Sequence, residues 1–211
     1  MNKVVFDPAH FDGKARQWDE NPANQARADR IAASLRARVP LSRAMRALDY
    51  GCGTGLLSFP LHAELGHITL SDTSSGMLAV LVDKIAAQGV DNMTPLLADL
   101  SVSALPDERF DLIYSSMTLH HIPDTDAILA AFHAHLNPGG WLCIADLDSE
   151  DGSFHGQEVD VLHGFDREDL AQRIRRTGFE APTFETVFEI GKESATGSRK
   201  YPVFLMTAHK A

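Results

Sequence analysis

The sequence predicts an α/β fold built around a parallel sheet, and three observations lead to that prediction. Short apolar runs typical of strands alternate with stretches of helical periodicity between residues 46 and 145. A turn with three glycines, residues 51–55, follows the first apolar run, where a strand should lead into a helix. The chain has 211 residues, of which 44% are hydrophobic, so it can bury the core of one domain. Parallel strands joined by helices imply right-handed crossover connections.

The elements are predicted in chain order from periodicity and from the residues that end each stretch. Pro22 precedes a helix over residues 23–39, and Pro40 closes it. Five strands are predicted at residues 47–50, 67–71, 94–97, 110–115 and 141–145. The helices between them are predicted at residues 56–65, 75–88 and 125–136. A helix over residues 167–177 is followed by two β-rich stretches, 183–190 and 201–208, which predict a hairpin-like ending.

The composition argues against several classes of protein. A net charge of −10 disfavours nucleic-acid binding, which depends on Lys and Arg contacts to phosphates. No apolar run approaches the roughly 20 residues of a membrane-spanning helix. The first residues lack the continuous apolar region of a secretory signal, so we expect a cytoplasmic protein. Cys52 and Cys143 are too few and too far apart for a disulfide scaffold or a cysteine-based zinc site.

The glycine turn and two later acids form the strongest motif of the chain. The turn Gly51-Cys52-Gly53-Thr54-Gly55 allows the backbone to approach a ligand at the N-terminus of a helix. Leu56 stands where a dinucleotide-binding motif would have its third glycine. Asp72 ends the next predicted strand and can accept both hydroxyls of a ribose. Asp99 ends the third, where a carboxylate can accept an adenine amino hydrogen.

These motifs resemble those of class I, Rossmann-like S-adenosylmethionine-dependent methyltransferases that act on small molecules. The stretches that carry the resemblance are Leu48–Gly55, Ser71–Leu78, Ala98–Leu100, Phe110–Ile122 and Leu136–Gly140. The resemblance implies a doubly wound α/β fold with a seven-stranded, mostly parallel sheet whose last strand is antiparallel. We expect a single domain over residues 1–211. Its parts are an N-terminal lid and helix (1–43), a cofactor-binding core (44–145), and an acceptor loop, helix and terminal hairpin (146–211).

The resemblance also implies which residues bind S-adenosylmethionine and release S-adenosylhomocysteine. The residues expected beside the methionine part of the cofactor are Asp49, Gly51, Gly53, Gly55 and Ser115. The residues expected at the ribose and the adenine are Asp72, Met77, Asp99 and the backbone of Leu100. Met77 has an alternative interpretation as a core residue, because methionine often fills gaps in a core.

The acceptor side of the reaction is predicted from the segment that follows the fifth strand. Asp146, His155 and His163 are expected to line the acceptor pocket, because acceptors should lie at the carboxyl ends of the strands. The alternative is that acids of this loop cap the next helix and that its histidines face solvent. The pair His120-His121 is interpreted as a structural turn. No tight i, i+4 pair of ligands appears, so we predict no metal site.

The function predicted from the sequence is transfer of a methyl group from S-adenosylmethionine to a small molecule. Two alternatives stay open, a nicotinamide-dependent oxidoreductase and a non-catalytic module that binds S-adenosylmethionine. We expect a small-molecule acceptor as partner, and neither nucleic acid nor a membrane. The sequence does not identify the acceptor, the methylated atom or the oligomeric state.

Overall fold

The computed structural model describes residues 4–5, 9–99, 108–155, 159–194 and 197–211. The strands are β1 (Val4–Val5), β2 (Arg46–Tyr50), β3 (His67–Asp72), β4 (Met93–Leu97), β5 (Phe110–Ser116), β6 (Leu136–Leu147), β7 (Val159–Asp160), β8 (Phe179–Ser194) and β9 (Gly197–Lys210). The α-helices are α1 (Ala9–Asp12), α2 (Ala15–Trp18), α3 (Pro22–Arg38), α4 (Ser58–Leu61), α5 (Ser75–Gln88), α6 (Thr125–His135) and α7 (Arg167–Thr177). None of the helices described is both long and apolar enough to cross a membrane.

Seven strands form one sheet in the order β4-β3-β2-β5-β6-β9-β8. Strands β2 to β6 are parallel to one another, whereas β9 is antiparallel to both β6 and β8. This confirms the predicted seven-stranded, mostly parallel sheet with an antiparallel last strand. From β2 the chain runs outward to β4 and then returns to the other side of β2 as β5. The strand order therefore reverses between β2 and β5, where open α/β sheets bind their ligands.

The sheet is covered on both faces because alternate residues of its strands point to opposite sides. On one side, Ala47 and Tyr114 belong to the core that includes Leu35 and Leu81 of α3 and α5. On the other side, Leu48 packs in the second core, which includes residues of α6 and α7. The central strands are thus buried on both faces, and this packing fixes the position of the carboxyl ends from which the following loops extend.

The helix predicted over residues 56–65 is shorter in the structure. It consists of α4 and a 3-10 turn, His62–Glu64. Pro60 has no N–H, so a helix that began at residue 56 would lose a hydrogen bond there. In α4, which begins at Ser58, Pro60 lies in the first turn, where no such bond is needed. The helix predicted over residues 75–88 agrees with α5. Ser74 caps its N-terminus, and Gly89 ends it with a left-handed φ of 62°.

A second, two-stranded sheet was not predicted. It pairs β1 with β7 in parallel, so the start of the chain lies beside the segment that follows β6. Both strands have only two residues, and no apolar periodicity can be read from so short a stretch.

Candidate functional site

The glycine loop after β2 is held open by its backbone conformation. Gly51, Gly53 and Gly55 all have positive φ, at 70°, 53° and 79°, which side-chain-bearing residues rarely adopt. The amides of Gly51 and Cys52 donate to the carbonyl oxygen of Ser71, at 2.8 and 3.1 Å, and so tie the loop to β3. A Cβ atom at Gly53 would meet nothing closer than the Met77 sulfur, 4.0 Å away. The loop therefore leaves space above its second glycine.

Asp72 joins the glycine loop to the helix that follows β3. One carboxylate oxygen accepts from the Gly53 amide at 2.8 Å and the other accepts from the Ser74 amide at 2.8 Å. Burial raises the pKa of Asp72, although the hydrogen bonds from these amides act in the opposite direction. Met77, in the first turn of α5, is buried close to the same loop. The acid and the thioether expected at the adenosine thus lie on one side of the glycine loop.

Asp49 is a buried carboxyl group under the glycine loop. Its Oδ2 accepts from the Ser58 hydroxyl at 2.6 Å, and the Ser58 oxygen lies 2.5 Å from the Tyr114 hydroxyl. Burial raises the pKa of Asp49 to about 7, the Ser58 hydrogen bond lowers it, and the charge of Asp72 raises it further. Sequence reasoning did not include Ser58 or Tyr114, because neither belongs to the glycine motif.

The remaining residues expected at the cofactor lie at the ends of neighbouring strands. Asp99 follows β4 and accepts from the Tyr50 hydroxyl at 3.2 Å, which places it beside the end of β2. The buried Ser115 hydroxyl donates to the carbonyl oxygen of Tyr50 at 2.8 Å. Leu100 lies outside the described residues. The acids and glycines expected at the cofactor therefore meet at the carboxyl edge of β2, β3 and β4, but Ser115 uses its hydroxyl to join β2 to β5.

The N-terminal segment is tied to this edge by two aspartates. Asp12 accepts from the Ser74 hydroxyl at 2.6 Å and from the Gly76 amide at 2.8 Å. Asp19 accepts from the Thr54 hydroxyl at 2.5 Å and pairs with the Lys84 ammonium group at 2.6 Å. Helices α1 and α2 thus lie against the glycine loop and the start of α5.

A sharp turn follows β5 and carries two histidines. Met117 has a left-handed φ of 57°, and the Thr118 hydroxyl donates to the carbonyl oxygen of Ser116 at 3.1 Å. The chain then forms a 3-10 turn over Leu119–His121, as the interpretation of a structural turn implies. A hydrogen bond of 3.3 Å from the Thr118 hydroxyl to the carbonyl oxygen of Gly51 holds this turn beside the glycine loop.

Asp146 lies inside β6 and is fully buried, so it does not itself face a pocket. Its Oδ1 is 2.6 Å from the Nδ1 atom of His120 and 2.7 Å from the Leu147 amide. Its Oδ2 accepts from the His120 amide at 3.2 Å. A carboxylate can only accept, so Nδ1 of His120 donates to it, and in the neutral ring the lone pair is then on Nε2. Asp146 therefore orients an imidazole.

His155 meets that imidazole from the loop after β6. The two Nε2 atoms of His155 and His120 are 3.0 Å apart. Burial lowers the pKa of His155 to about 4, and the nearby His120 contributes in the same direction. His163 lies elsewhere, exposed and with its ring against Gly152. The structure thus brings Asp146 and His155 together through His120, and leaves His163 at the surface.

The comparisons with known proteins agree with the motifs. A family model described as a methyltransferase domain matches residues 47–140. Trans-aconitate 2-methyltransferase of Variovorax paradoxus is 34% identical over 147 residues, which are 65% of this chain and 53% of that enzyme. The chain spans about half the length of the first curated relatives it matches.

Solved structures share the fold at low sequence identity. Phosphoethanolamine N-methyltransferase 2 of Haemonchus contortus, in complex with S-adenosyl-L-methionine, has a TM-score of 0.73 and 19% identity over 86% of this chain and 52% of that one. The [4+2]-cyclase SpnF has a TM-score of 0.70 and 19% identity over 86% of this chain and 80% of that one. The domain match, the motif order and the sheet topology together show that this chain has the class I methyltransferase fold.

Proposed function

We propose that this chain binds S-adenosylmethionine and transfers its methyl group to a small-molecule acceptor. The observation that supports this best is the set of three carboxyl groups around one glycine loop, Asp49, Asp72 and Asp99. S-adenosylmethionine carries a positive sulfonium and a positive amino group, two ribose hydroxyls and an adenine amino group. Each of these can interact with a carboxylate, so the donor set fits this molecule.

The same carboxyl groups disfavour a dinucleotide. A pyrophosphate would bring negative charge to a loop at which the charge of Asp72 already raises the pKa of Asp49. Lys84, a cation that contacts the loop through the Thr54 carbonyl oxygen, is paired with Asp19. The alternative of a nicotinamide-dependent oxidoreductase therefore has weaker support.

The protein's part in the reaction is alignment and the exclusion of water. When bound, the sulfonium supplies an activated methyl group. The glycine loop lies beside the methionine part, Asp49 holds its amino end, and Asp72 holds the ribose. The N-terminal segment covers this edge through Asp12 and Asp19 and limits the access of water. Such orientation can lower a barrier by about 7–11 kcal/mol.

The acceptor side is proposed at the other end of the same edge. We expect Asp146 and His155 to act on the acceptor, with Asp146 acting through His120. His163 was also expected to line the acceptor pocket, and this remains a prediction. The His120–His155 contact supports this, because it places imidazole nitrogens at the carboxyl end of β5 and β6. A net charge of −10 favours a small acceptor over nucleic acid, and the two buried, unpaired cysteines fit action in the cytoplasm.

Calorimetric titration tests the proposal. We expect the protein to bind S-adenosylhomocysteine, and Asp72→Asn to weaken that binding about 10-fold to 100-fold, because charge-assisted hydrogen bonds contribute about 1.5–3 kcal/mol. Asp91→Asn is the matched control: Asp91 is exposed and precedes β4, at the opposite edge of the sheet. Heat with NADH and none with S-adenosylhomocysteine would overturn the proposal. Binding of the donor without turnover of any hydroxyl, amine or thiol acceptor would indicate the non-catalytic module.

A further inference from the structure

Three imidazole rings meet at the carboxyl end of the sheet. His120 and His121 belong to the turn after β5, and His155 comes from the loop after β6. The ring centroids are 4.1 Å apart for His120 and His121, 5.0 Å for His120 and His155, and 5.2 Å for His121 and His155. One nitrogen from each ring lies within 4.8 Å of the other two. His120 is buried and the other two are partly buried, so the group lies at the boundary between core and solvent.

These distances are close to those of a three-histidine metal site. With a Zn–N bond of about 2.1 Å, two nitrogen ligands of a tetrahedral ion are roughly 3.4 Å apart. The Nε2 atoms of His120 and His155, at 3.0 Å, need to separate by only a few tenths of an ångström. The longest separation between two of the three ligand nitrogens is at most 4.8 Å, and rotation of one partly buried histidine side chain can shorten it. We propose that His120, His121 and His155 bind a divalent d-block cation, with Zn²⁺ the first candidate.

Asp146 provides the second requirement of such a site. Histidines that ligate a metal usually donate their other N–H to a carboxylate or carbonyl group, which fixes the tautomer. Asp146 accepts from His120 Nδ1 at 2.6 Å, so the lone pair of His120 Nε2 points away from the carboxylate. The carboxylate itself is fixed by the Leu147 amide at 2.7 Å, inside a strand paired on both sides. Three neutral imidazoles leave at least one coordination position for another ligand, as in catalytic zinc sites.

The spacing of the three ligands explains why the sequence predicted no metal site. That prediction rested on the lack of a tight i, i+4 pair, which is the spacing of two ligands on one helix. Here one ligand follows its neighbour directly and the third is 34 residues further along the chain. Only the parallel pairing of β5 with β6 brings the two loops to the same edge. The proposal does not rest on methyl transfer, since it concerns binding of the ion alone.

Metal titration of the tag-free, ligand-free protein tests the site. We expect one equivalent of Co²⁺ to produce the visible d–d absorption of a four- or five-coordinate ion, and one equivalent of Zn²⁺ to displace it. His121→Ala and His155→Ala, both at partly buried positions, should each weaken Zn²⁺ binding by 100-fold or more. Asp146→Asn should weaken it about 10-fold to 100-fold, an effect on orientation that a merely packed histidine group does not predict.

His209→Ala is the matched control. His209 pairs with Trp141 in the middle of β6, whereas the three histidines lie at the carboxyl end of that strand. Its variant should bind Zn²⁺ as the unmodified protein does, and circular dichroism of all variants without metal should be the same. The proposal is overturned if the unmodified protein and the double variant His121→Ala/His155→Ala bind Zn²⁺ equally. It is equally overturned if only His209→Ala loses the ion.

Discussion

Replacement of Asp49 by Asn should make the ligand-free protein more stable, and increasingly so as the pH rises. Burial raises the pKa of this carboxyl group from 3.8 to about 7, so the folded protein retains a proton that the unfolded chain has already lost. A group whose pKa is raised on folding contributes its full stabilisation when the pH is below its pKa in the unfolded chain. That stabilisation is lost as the pH rises to its pKa in the folded protein, here between about pH 4 and about pH 7.

The magnitude follows from the two pKa values. Each pKa unit corresponds to about 1.4 kcal/mol, so ionisation of Asp49 in the folded protein costs up to about 4 kcal/mol above pH 7. Asn carries no charge, and its side-chain oxygen can accept the hydrogen bond from Ser58 that Asp49 accepts at 2.6 Å. The variant should therefore have the larger free energy of unfolding at pH 8, and the difference should shrink towards pH 4.

Urea denaturation of both proteins between about pH 4 and about pH 8 measures this difference. Other titrating groups are common to the two proteins and cancel when the free energies are subtracted. Asp91→Asn is the matched control, because it makes the same change at an exposed position. A pH-independent difference for Asp49→Asn would refute the reasoning, because the carboxyl group would then have the same pKa in the folded and the unfolded protein.

Two further predictions concern the glycine loop. Gly51→Ala should lower the free energy of unfolding by about 2–4 kcal/mol, because φ is 70° and the new Cβ would overlap the Thr118 side chain. Urea denaturation measures this loss, and an unchanged midpoint would contradict the prediction. Lys84→Met should increase amide hydrogen exchange in α1 and α2, because Lys84 joins Asp19 to the Thr54 carbonyl oxygen. Val82→Met, at an exposed position of the same helix, should leave that exchange unchanged.

The strands and the larger helices could be predicted because each is encoded by neighbouring residues. Ser74 and Gly89 mark both ends of α5, and its bounds agree with the prediction. The antiparallel last strand came from the family resemblance and not from periodicity, since a hairpin-like ending is compatible with either edge of a sheet. Helix α4 was predicted too long because apolar spacing over residues 56–65 does not reveal that the helix begins only at Ser58, with Pro60 in its first turn.

The cofactor side of the site was also encoded locally. Three glycines within five residues and one acid at the end of each following strand are visible in any single sequence. Ser58 and Tyr114 could not be found that way, because they reach Asp49 from a helix and from a neighbouring strand. A hydroxyl on a helix has many possible partners, and only the packed sheet selects the carboxyl group.

Asp146 illustrates the same limit on the acceptor side. It stands between Ala145 and Leu147, both fully buried, in a strand with partners on each side. A carboxylate at such a position needs donors from within the protein, because burial of an unpaired charge costs several kcal/mol. His120 provides two of them, through its ring and its amide. Asp146 can therefore reach an acceptor or an ion only through the imidazole that it orients, and this makes His120 and His155 the side chains on which substitutions at this edge will be most informative.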